Sequence, residues 1–389
     1  MRSQFLPFSV PSIDEEDIRG VVDVLRSGWI TTGPKNAEFE KQFAQYVGAA
    51  HAASLTSATG GMHLVLKALN IGPGDEVLTS SMTWVSTVNL IELAGAKPVF
   101  VDIDRDTLMI TPDRIQPLIT AKTMALIPVH FAGAPADLDP MRELAAKHGV
   151  RLIEDAAHAV GTEYKGRRIG SPGTSIFSFH PIKNMTTGEG GMVCTDDAAL
   201  MEKVRCLRFH GLSKDAWQRY TRHGSPQLEV AEPGFKYNLT DIQASLGLTQ
   251  LKKLDERNAR RAELAAKYDE LFRDIPEVRP IGRPKYAHKH THHLYIVLLD
   301  IDRVPLTRDE FVEKLKEHNI GTGIHFRAVH LQEFYREKRG YQRGCLPNTE
   351  FVSDRLMSIP FFPGMTEADL SDVIAAIKAV VAQARKGKS

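Results

Sequence analysis

Apolar strands alternate with amphipathic helices between about residue 51 and residue 195 of this 389-residue chain. The predicted strands are HAASLTS, DEVLTS, KPVFVDID, TMALIPVHF, VRLIED, TSIFSFH and GMVCTD, and helical segments such as ATGGMHLVLKALN and STVNLIELAG lie between them. Parallel strands need such crossover helices, which cover both faces of the sheet and make the strands almost wholly apolar. The alternation therefore predicts an α/β fold built on a mostly parallel sheet.

The pattern changes towards the C-terminal end. A long helix, bent or straight, is predicted over 241–272, and a strand HHLYIVLLDI, a helix TRDEFVEKLKEHN, a strand GTGIHF and a closing helix TEADLSDVIAAIKAVVAQA follow. A chain of this length exceeds what one hydrophobic core usually organises. We therefore predict an N-terminal arm over 1–12, a large domain over 13–250 whose first helix is capped by Ser12, and a smaller α+β domain over 251–389.

Composition narrows the classes of partner and compartment. The 49 basic and 48 acidic residues leave a net charge of +1, which favours neither nucleic acid nor an anionic membrane surface as a partner. The cysteines Cys194, Cys206 and Cys345 have no CxxC spacing, so we expect no metal site and no disulfide framework. Neither an apolar run long enough to span a membrane nor a signal peptide is recognisable, and a cytoplasmic location is expected.

Three kinds of residue stand where strands of the predicted sheet end, which is where open parallel sheets bind ligands. Ser57 and the small residues through Gly60 open a helix, an arrangement that suits a phosphate or simply makes a tight turn. Asp155 closes an apolar strand, where it could pair with a cation on a ligand or cap a helix. Lys183 follows another strand and is either a solvated loop residue or an amine nucleophile.

Together these groups are what pyridoxal phosphate (PLP) requires. The cofactor needs a phosphate cradle, a carboxylate for its ring nitrogen and a lysine for its aldehyde. Trp84 lies just beyond the strand DEVLTS and could cover the ring or be an ordinary core aromatic. His158, three residues after Asp155, is expected to have only a supporting role. Lys183 is therefore predicted to be the Schiff-base lysine.

Several stretches carry a resemblance to a known family. They include SGWITTGPKN, TSATGGMH, TWVSTVN, PVHFAGAPADLD, IEDAAHAVGT, FSFHPIKN, GEGGMV, KYNLTDI, GTGIHFRAVH and LPNTE. Over nearly its whole length the chain resembles the DegT/DnrJ/EryC1/StrS sugar aminotransferases. The resemblance implies the PLP-dependent aspartate aminotransferase-type fold (fold type I), with a seven-stranded large-domain sheet and a smaller C-terminal domain. The similarity is strongest to the branch that aminates a UDP-4-ketopentose to UDP-4-amino-4-deoxy-L-arabinose, in lipid A modification and polymyxin resistance.

The resemblance also implies residue roles. Lys183 would be the catalytic lysine, Asp155 would pair with the ring nitrogen, Trp84 would stack on the ring and His158 would lie near its hydroxyl. Cofactor contacts are implied at Ser57, Thr59, Gly60, Trp84, Asp155, His158, Ser178, Lys183, Lys236 and Asn238. Substrate contacts are implied at Trp29, Thr31, Thr32, Gly33, His325 and Arg327.

The partners implied are glutamate with 2-oxoglutarate, a nucleotide-linked ketosugar and a second copy of the chain. In a homodimer with shared active sites, the segment PGFKYNLTD would come from the partner subunit. Many family members carry Asn and Arg where this chain has Lys236 and Asn238, which the arabinose branch shares. Close relatives also have Ala at the position of Pro181 and TCAEGG in place of TTGEGG. Pro181 fixes the backbone two residues before the lysine, but the lysine, glutamate and glycines remain in register.

Three alternatives stay open beside this reading. The same chemistry could act on a 4-keto-6-deoxyhexose or a 3-ketosugar in O-antigen or antibiotic synthesis. A PLP-dependent lyase or sugar dehydratase is disfavoured by Lys183, because the dehydratase relatives have histidine at that position. A non-catalytic sugar-nucleotide sensor on the same fold would be marked by failure to bind PLP.

Overall fold

The computed structural model describes residues 2–212 and 229–386 of the chain. Its N-terminal part contains nine strands: β1 His51–Leu55, β2 Glu76–Ser80, β3 Lys97–Val101, β4 Thr123–Ile127, β5 Arg151–Asp155, β6 Glu163–Tyr164, β7 Arg167–Arg168, β8 Thr174–Ser178 and β9 Gly191–Thr195. Seven of them form one sheet in the order β1-β9-β8-β5-β4-β2-β3. Only β9 in this sheet pairs antiparallel with its neighbours. The predicted α/β fold with a mostly parallel seven-stranded sheet is confirmed.

Helices cover both faces of this sheet. They are α1 Glu15–Ser27, α2 Pro34–Val47, α3 Ala58–Ala68, α4 Val85–Leu93, α5 Pro112–Ile115, α6 Leu138–His148, α7 Ala198–Leu207 and α8 Asp241–Lys252. Neighbouring residues of β8 show the two faces directly, because Ile176 packs into one buried apolar cluster and Phe177 into another. The Phe177 cluster includes Phe39 and Phe43 of α2. A strand apolar on both sides is therefore buried on both sides, as the sequence pattern indicated.

The C-terminal part contains a second, smaller sheet. Its elements are α9 Leu254–Leu271, β10 Val278–Pro280, β11 His288–Lys289, β12 Tyr295–Leu299, α10 Arg308–Glu317, α11 Glu333–Arg339, α12 Pro347–Ser353, β13 Leu356–Ile359 and α13 Glu367–Lys386. Strands β10, β12 and β13 form an antiparallel sheet, and β11 joins β6 and β7 in a third sheet. In the N-terminal arm, Leu6 bridges to Ile320 and enters the apolar cluster of this region. The predicted limit at residue 250 falls inside α8 and stays a prediction.

Three local predictions are wrong. Helix α1 is capped by Asp14 rather than Ser12, because the Asp14 carboxylate accepts the N–H groups of Glu16 and Asp17 and the Asp17 side chain reciprocates. The segment 241–272 is two helices with Lys253 between them. GTGIHF is no strand, since it pairs with β13 only through Gly323 and Ser358.

No helix of the described ranges is both long enough and apolar enough to cross a lipid bilayer.

Candidate active site

The carboxyl ends of β1, β8 and β5 bring the predicted cofactor residues to one edge of the main sheet. In the strand register, Gly191 of β9 lies between Leu55 of β1 and Ser178 of β8. On the other side of β8, Asp155 pairs with Ile176. The loops that follow these strands therefore share one edge, as expected for a ligand site in an open parallel sheet.

The start of α3 has the geometry of an anion cradle. Ser57 is its N-cap, and the Ser57 hydroxyl oxygen accepts the N–H of Gly60 at 3.0 Å. Other N–H groups of the first turn, including that of Thr59, have no partner within the helix and lie at its positive dipole end. Gly191 packs so tightly here that a Cβ would lie 2.4 Å from the backbone nitrogen of Ala58. Backbone thus encloses the cradle closely, and the arrangement fits a phosphate.

Asp155 ends β5 and is held by two hydrogen bonds. Its carboxylate accepts the Thr87 hydroxyl at 3.1 Å and the N–H of Ala157 at 3.2 Å. Burial raises the pKa of Asp155, while these two donors and the charge of Lys183 oppose that rise. No helix begins directly after Asp155, so the capping alternative does not apply. The carboxylate instead lies close enough to Lys183 for their charges to interact.

Lys183 lies in the loop between β8 and β9. Its side chain keeps some contact with solvent, but its amine lies deep in packed protein. Burial lowers the pKa of Lys183 to about 8, opposed by the charge of Asp155. About one such amine in ten is neutral at pH 7 and about half at pH 8, far more than for a solvated lysine, and the neutral amine is the form that acts as a nucleophile. The solvated-loop alternative for Lys183 does not agree with this environment.

His158 and His325 complete the surroundings of Lys183. His158 is buried, and its Nδ1 accepts the N–H of Ala132 at 3.3 Å, so its Nε2 carries the proton. Burial, with the charges of Lys183 and His325, holds the pKa of His158 well below its ordinary value. The pKa of His325 is lowered to about 4 by burial and by Lys183. Both imidazoles are therefore neutral hydrogen-bonding groups at neutral pH.

Trp84 is the N-cap residue of α4 and is 59% exposed. Its ring centroid lies 6.0 Å from that of Phe326, and Phe326 in turn stacks on His158 at 5.7 Å. An indole so exposed is not an ordinary core aromatic. Its place beside Phe326 and three residues before Thr87 fits a residue that covers a flat ring.

Hydrogen bonds join residues 29–33, which we call the substrate loop, to the segment 236–241 of the same chain. The Asn238 amide donates to the Thr32 hydroxyl at 2.6 Å, and the Trp29 indole donates to the carbonyl of Thr32 at 3.2 Å. Gly33 N–H donates to the Asp241 carboxylate at 2.7 Å, and Asp241 N–H to the carbonyl of Thr31 at 3.0 Å. The Lys236 amine donates to the Asn238 side chain.

The segment 236–241 is hydrogen-bonded to the main sheet at the end of β1. Asn238 bridges to Leu55, and Thr56 N–H donates to the carbonyl of Tyr237 at 2.8 Å. Within one chain, Lys236 and Asn238 thus lie beside the strand that leads to the α3 cradle. Their contribution to a partner subunit stays a prediction.

Arg327 differs from the other predicted residues. It is exposed and lines a surface cavity of about 750 Å³, together with Arg308, Arg336 and Arg343. By contrast His325, two residues earlier, lies close enough to Lys183 for their charges to interact. The structure therefore brings His325, but not Arg327, to the group around Lys183.

One group of metal-type ligands occurs in the described part of the chain, at His330, Cys345 and Glu350. The Glu350 carboxylate already accepts hydrogen bonds from His330 at 3.2 Å and from the N–H groups of Gly344 and Leu346. The other ring nitrogen of His330 bonds to the Ser81 hydroxyl at 2.7 Å. Hydrogen bonding within the protein accounts for the His330 and Glu350 side chains.

Sequence reasoning missed Thr87, His293 and Phe326. Thr87 follows Trp84 by three residues, so helical spacing could have placed it on the same side of α4. His293 is 2% exposed and lies 4.4 Å from His158, ring centre to ring centre. It belongs to the histidine-rich run HKHTHH, in which nothing local distinguishes it. Phe326 adjoins His325 in GTGIHF, whose pattern indicated a strand.

Comparison with known proteins identifies the family of the chain. A sequence model of the DegT/DnrJ/EryC1/StrS aminotransferase family matches residues 11–378. The structure resembles Spr1654 of Streptococcus pneumoniae, solved in a PMP form (TM-score 0.90, 31% identity, covering 97% of this chain and 99% of that one) and in a PLP form (TM-score 0.89, 30% identity).

Two further solved structures are similar over almost their full length. One is PseC of Helicobacter pylori, an aminotransferase of pseudoaminic acid biosynthesis (TM-score 0.90, 28% identity, 98% of this chain and 100% of that one). The other is the sugar aminotransferase CalS13 of Micromonospora echinospora (TM-score 0.85, 29% identity, 96% and 99%). The chain belongs to the DegT/DnrJ/EryC1/StrS aminotransferase family and has its PLP-dependent fold.

Proposed function

We propose that this chain, as a member of that aminotransferase family, moves the amino group of glutamate to a nucleotide-linked 4-ketosugar with PLP as its cofactor. The observation that carries the proposal is Lys183 itself. Its amine is buried beside the Asp155 carboxylate at the strand edge where Ser57 and Gly60 form an anion cradle. No other lysine of the described ranges combines these features in its surroundings.

The chain's residues divide the work of binding and proton transfer. The first turn of α3 would hold the phosphate, and Asp155, oriented by its hydrogen bond from Thr87, would pair with a cationic ring nitrogen. PLP supplies an electron sink for the carbon that gains or loses the amino group. Lys183, with a pKa of about 8, is able to accept and return a proton near neutral pH. His158 Nε2–H can donate to an oxygen at the ring edge.

The finer substrate assignment is UDP-4-ketopentose, converted to UDP-4-amino-4-deoxy-L-arabinose for lipid A modification. Its support is the resemblance of FSFHPIKN, KYNLTDI and GTGIHFRAVH to that branch, including Lys236 and Asn238. A 4-keto-6-deoxyhexose or a 3-ketosugar nucleotide is the alternative with the same chemistry. PseC, an aminotransferase of pseudoaminic acid biosynthesis, has a similar chain, so similarity of fold does not choose between these sugars.

A homodimer in the cytoplasm is part of the proposal. Exposed apolar side chains support the homodimer, because Ile18 and Leu25 of α1, together with Ile30 and Trp84, are each between 47 and 59% exposed. Large apolar side chains left in contact with solvent commonly mark a protein interface. The mass of the purified protein in solution, measured by light scattering, should be twice 43.2 kDa. A monomer would contradict the shared site.

The half-reaction tests the function. Excess glutamate should bleach the yellow absorbance of the PLP-loaded protein, and after its removal each ketosugar nucleotide is added separately. Return of the yellow band only with the UDP-4-ketopentose supports the arabinose assignment. Return only with TDP-4-keto-6-deoxyhexose keeps the aminotransferase chemistry and changes the substrate. No bleaching by glutamate would contradict the proposed reaction, and no PLP binding would favour the sensor alternative.

A further inference from the structure

Unpaired buried polar atoms include one on Asn184, the residue that follows Lys183 in the chain. Among residues 2–212 and 229–386, five buried side-chain atoms have no hydrogen-bond partner. Four of them belong to three residues: Oδ1 of Asn184, Nε of Arg261 and both ring nitrogens of His293. The fifth, Oγ1 of Thr111, lies in the loop before α5. We call Asn184, Arg261 and His293 the polar cluster.

Hydrogen bonds through one short segment connect the three residues. The Asn184 amide donates to the carbonyl of Thr291 at 2.9 Å. The Arg261 guanidinium donates to the carbonyls of His292 and His293, each at 3.3 Å. Segment 291–293 therefore has Asn184 bonded to its start and Arg261 bonded to its end, and the unpaired atoms belong to neighbouring side chains.

Burial makes these unpaired atoms costly. Asn184 is 5% exposed, and Arg261 and His293 are 2% exposed. An unsatisfied buried donor or acceptor has lost its hydrogen bonds to water without gaining others, which destabilises the folded chain. Buried polar sites of this kind hold ordered water that makes two to four hydrogen bonds.

The donors and acceptors of the polar cluster suit a water molecule. Arg261 Nε–H is a donor and Asn184 Oδ1 an acceptor. Burial, with the charges of His158, Lys183 and Arg261, keeps the pKa of His293 well below its ordinary value, so its ring offers one donor and one acceptor. Water can accept two hydrogen bonds and donate two.

The polar cluster is connected to the catalytic residues in two ways. Asn184 is the next residue after Lys183 in the chain. The His293 ring lies 4.4 Å from the His158 ring, centre to centre, at an interplanar angle of 49°. His293 therefore packs directly against His158, and Asn184 belongs to the same loop as Lys183.

We propose that the polar cluster holds ordered water and that His293, anchored by this water, is a positioning residue that fixes the His158 ring. The role of His158 toward the cofactor rests on the proposed function, whereas the buried water does not. The occupant is water rather than substrate, because all three residues are buried away from solvent. The Asn184 amide and the Arg261 guanidinium also already donate to backbone carbonyls, which leaves few groups to bind a larger molecule.

A crystal structure of the cofactor-free protein tests the water directly. Solvent density should lie at ~2.7–3.2 Å from at least two of the four unpaired atoms. A cluster without solvent density, or side chains rearranged so that their atoms bond to each other, would overturn the proposal. This measurement is independent of any reaction, so it can succeed even if the proposed function fails.

Variants of His293 test the positioning role. His293→Phe keeps a flat ring but loses both nitrogens, whereas His293→Gln keeps a donor and an acceptor. We expect the pH midpoint of the visible absorbance of the PLP-loaded protein to move by ~0.5 or more in His293→Phe. A less firmly held His158 ring changes the surroundings of the cofactor, and a shift of one pH unit requires only ~1.36 kcal/mol. His293→Gln should restore at least half of that shift.

His330→Phe is the matched control. His330 is equally buried, but both of its ring nitrogens are already bonded, to Ser81 and Glu350. Its replacement should lower the melting temperature and leave the pH midpoint unchanged. If His293→Phe keeps the wild-type midpoint, or if His330→Phe moves it equally, His293 serves packing alone and the positioning role is refuted.

Discussion

Replacing Lys183 with Met should make the cofactor-free protein more stable at pH 7. Lys183 carries a buried positive charge whose pKa falls from 10.5 to about 8 on folding. Because the folded pKa is lower than the unfolded one, the folded state binds the proton less well than the unfolded state does. The resulting loss of stability is complete below pH 8 and disappears as the pH rises through 10.5.

The magnitude follows from the pKa difference. Two and a half pH units at ~1.36 kcal/mol each correspond to about 3 kcal/mol at pH 7 and to less than about 0.5 kcal/mol at pH 10.5. The pKa of about 8 already contains the attraction of Asp155 for the Lys183 cation, so the figure is reduced only because the Lys183 side chain keeps some contact with solvent, which screens its charge. The observed stabilisation at pH 7 should therefore lie between about 1 and 3 kcal/mol.

Equilibrium denaturation of the cofactor-free proteins at pH 7 and pH 10.5 provides the measurement. Lys378→Met, on the exposed face of α13, controls for the loss of one surface lysine. We expect Lys183→Met alone to gain stability at pH 7, and the gain to vanish at the higher pH. A variant no more stable than the control at pH 7, or a gain equal at both pH values, would refute a buried cation at Lys183.

Three further predictions concern the same site. The rate at which cofactor-free protein captures PLP, followed by absorbance, should rise with pH around a midpoint near 8, because only the neutral Lys183 amine attacks; a flat profile from pH 6 to 9 contradicts this. Thr87→Val should slow the glutamate half-reaction by ~10-fold or more in stopped flow, since a hydrogen bond to a charged group contributes ~1.5–3 kcal/mol and Asp155 loses one; an unchanged rate would show that the bond has no role. Gly191→Ala should weaken PLP binding at least ~10-fold in a fluorescence titration, because its Cβ would lie 2.4 Å from the backbone nitrogen of Ala58 at the start of α3. The control Gly72→Ala, whose Cβ would have its nearest atom at 3.7 Å, should bind PLP normally. Equal affinities of the two variants would refute the close packing at Gly191.

The features that the sequence predicts correctly are those set by local periodicity. Ile176 and Phe177 of β8 pack into two different apolar clusters, so adjacent apolar residues here indicate a strand buried on both faces and place Lys183 just beyond its end. The same reasoning locates Asp155 and Ser57 at the ends of their strands. Because parallel strands put their carboxyl ends at one edge of a sheet, the strand pattern alone is enough to bring these three residues together.

The features that sequence reasoning missed depend on tertiary contacts. His293 lies in HKHTHH, and only packing against His158 and Arg261 distinguishes it from its neighbours. His325 and Arg327 are two residues apart and share one predicted role, yet one is near Lys183 and the other is exposed. Phe326 packs against Trp84 and His158, so contacts within the site, rather than strand pairing, determine the conformation of GTGIHF.

Mapping the lysine that holds PLP tests the proposed role of Lys183 most directly. The yellow protein would be reduced with borohydride, digested and mapped by mass spectrometry. We expect the pyridoxyl modification on Lys183, and its loss in Lys183→Met. Lys236 is the other lysine predicted to contact the cofactor, because it donates to Asn238 near the end of β1. Modification of Lys236, or of any lysine other than Lys183, would contradict the assignment on which the proposed reaction rests.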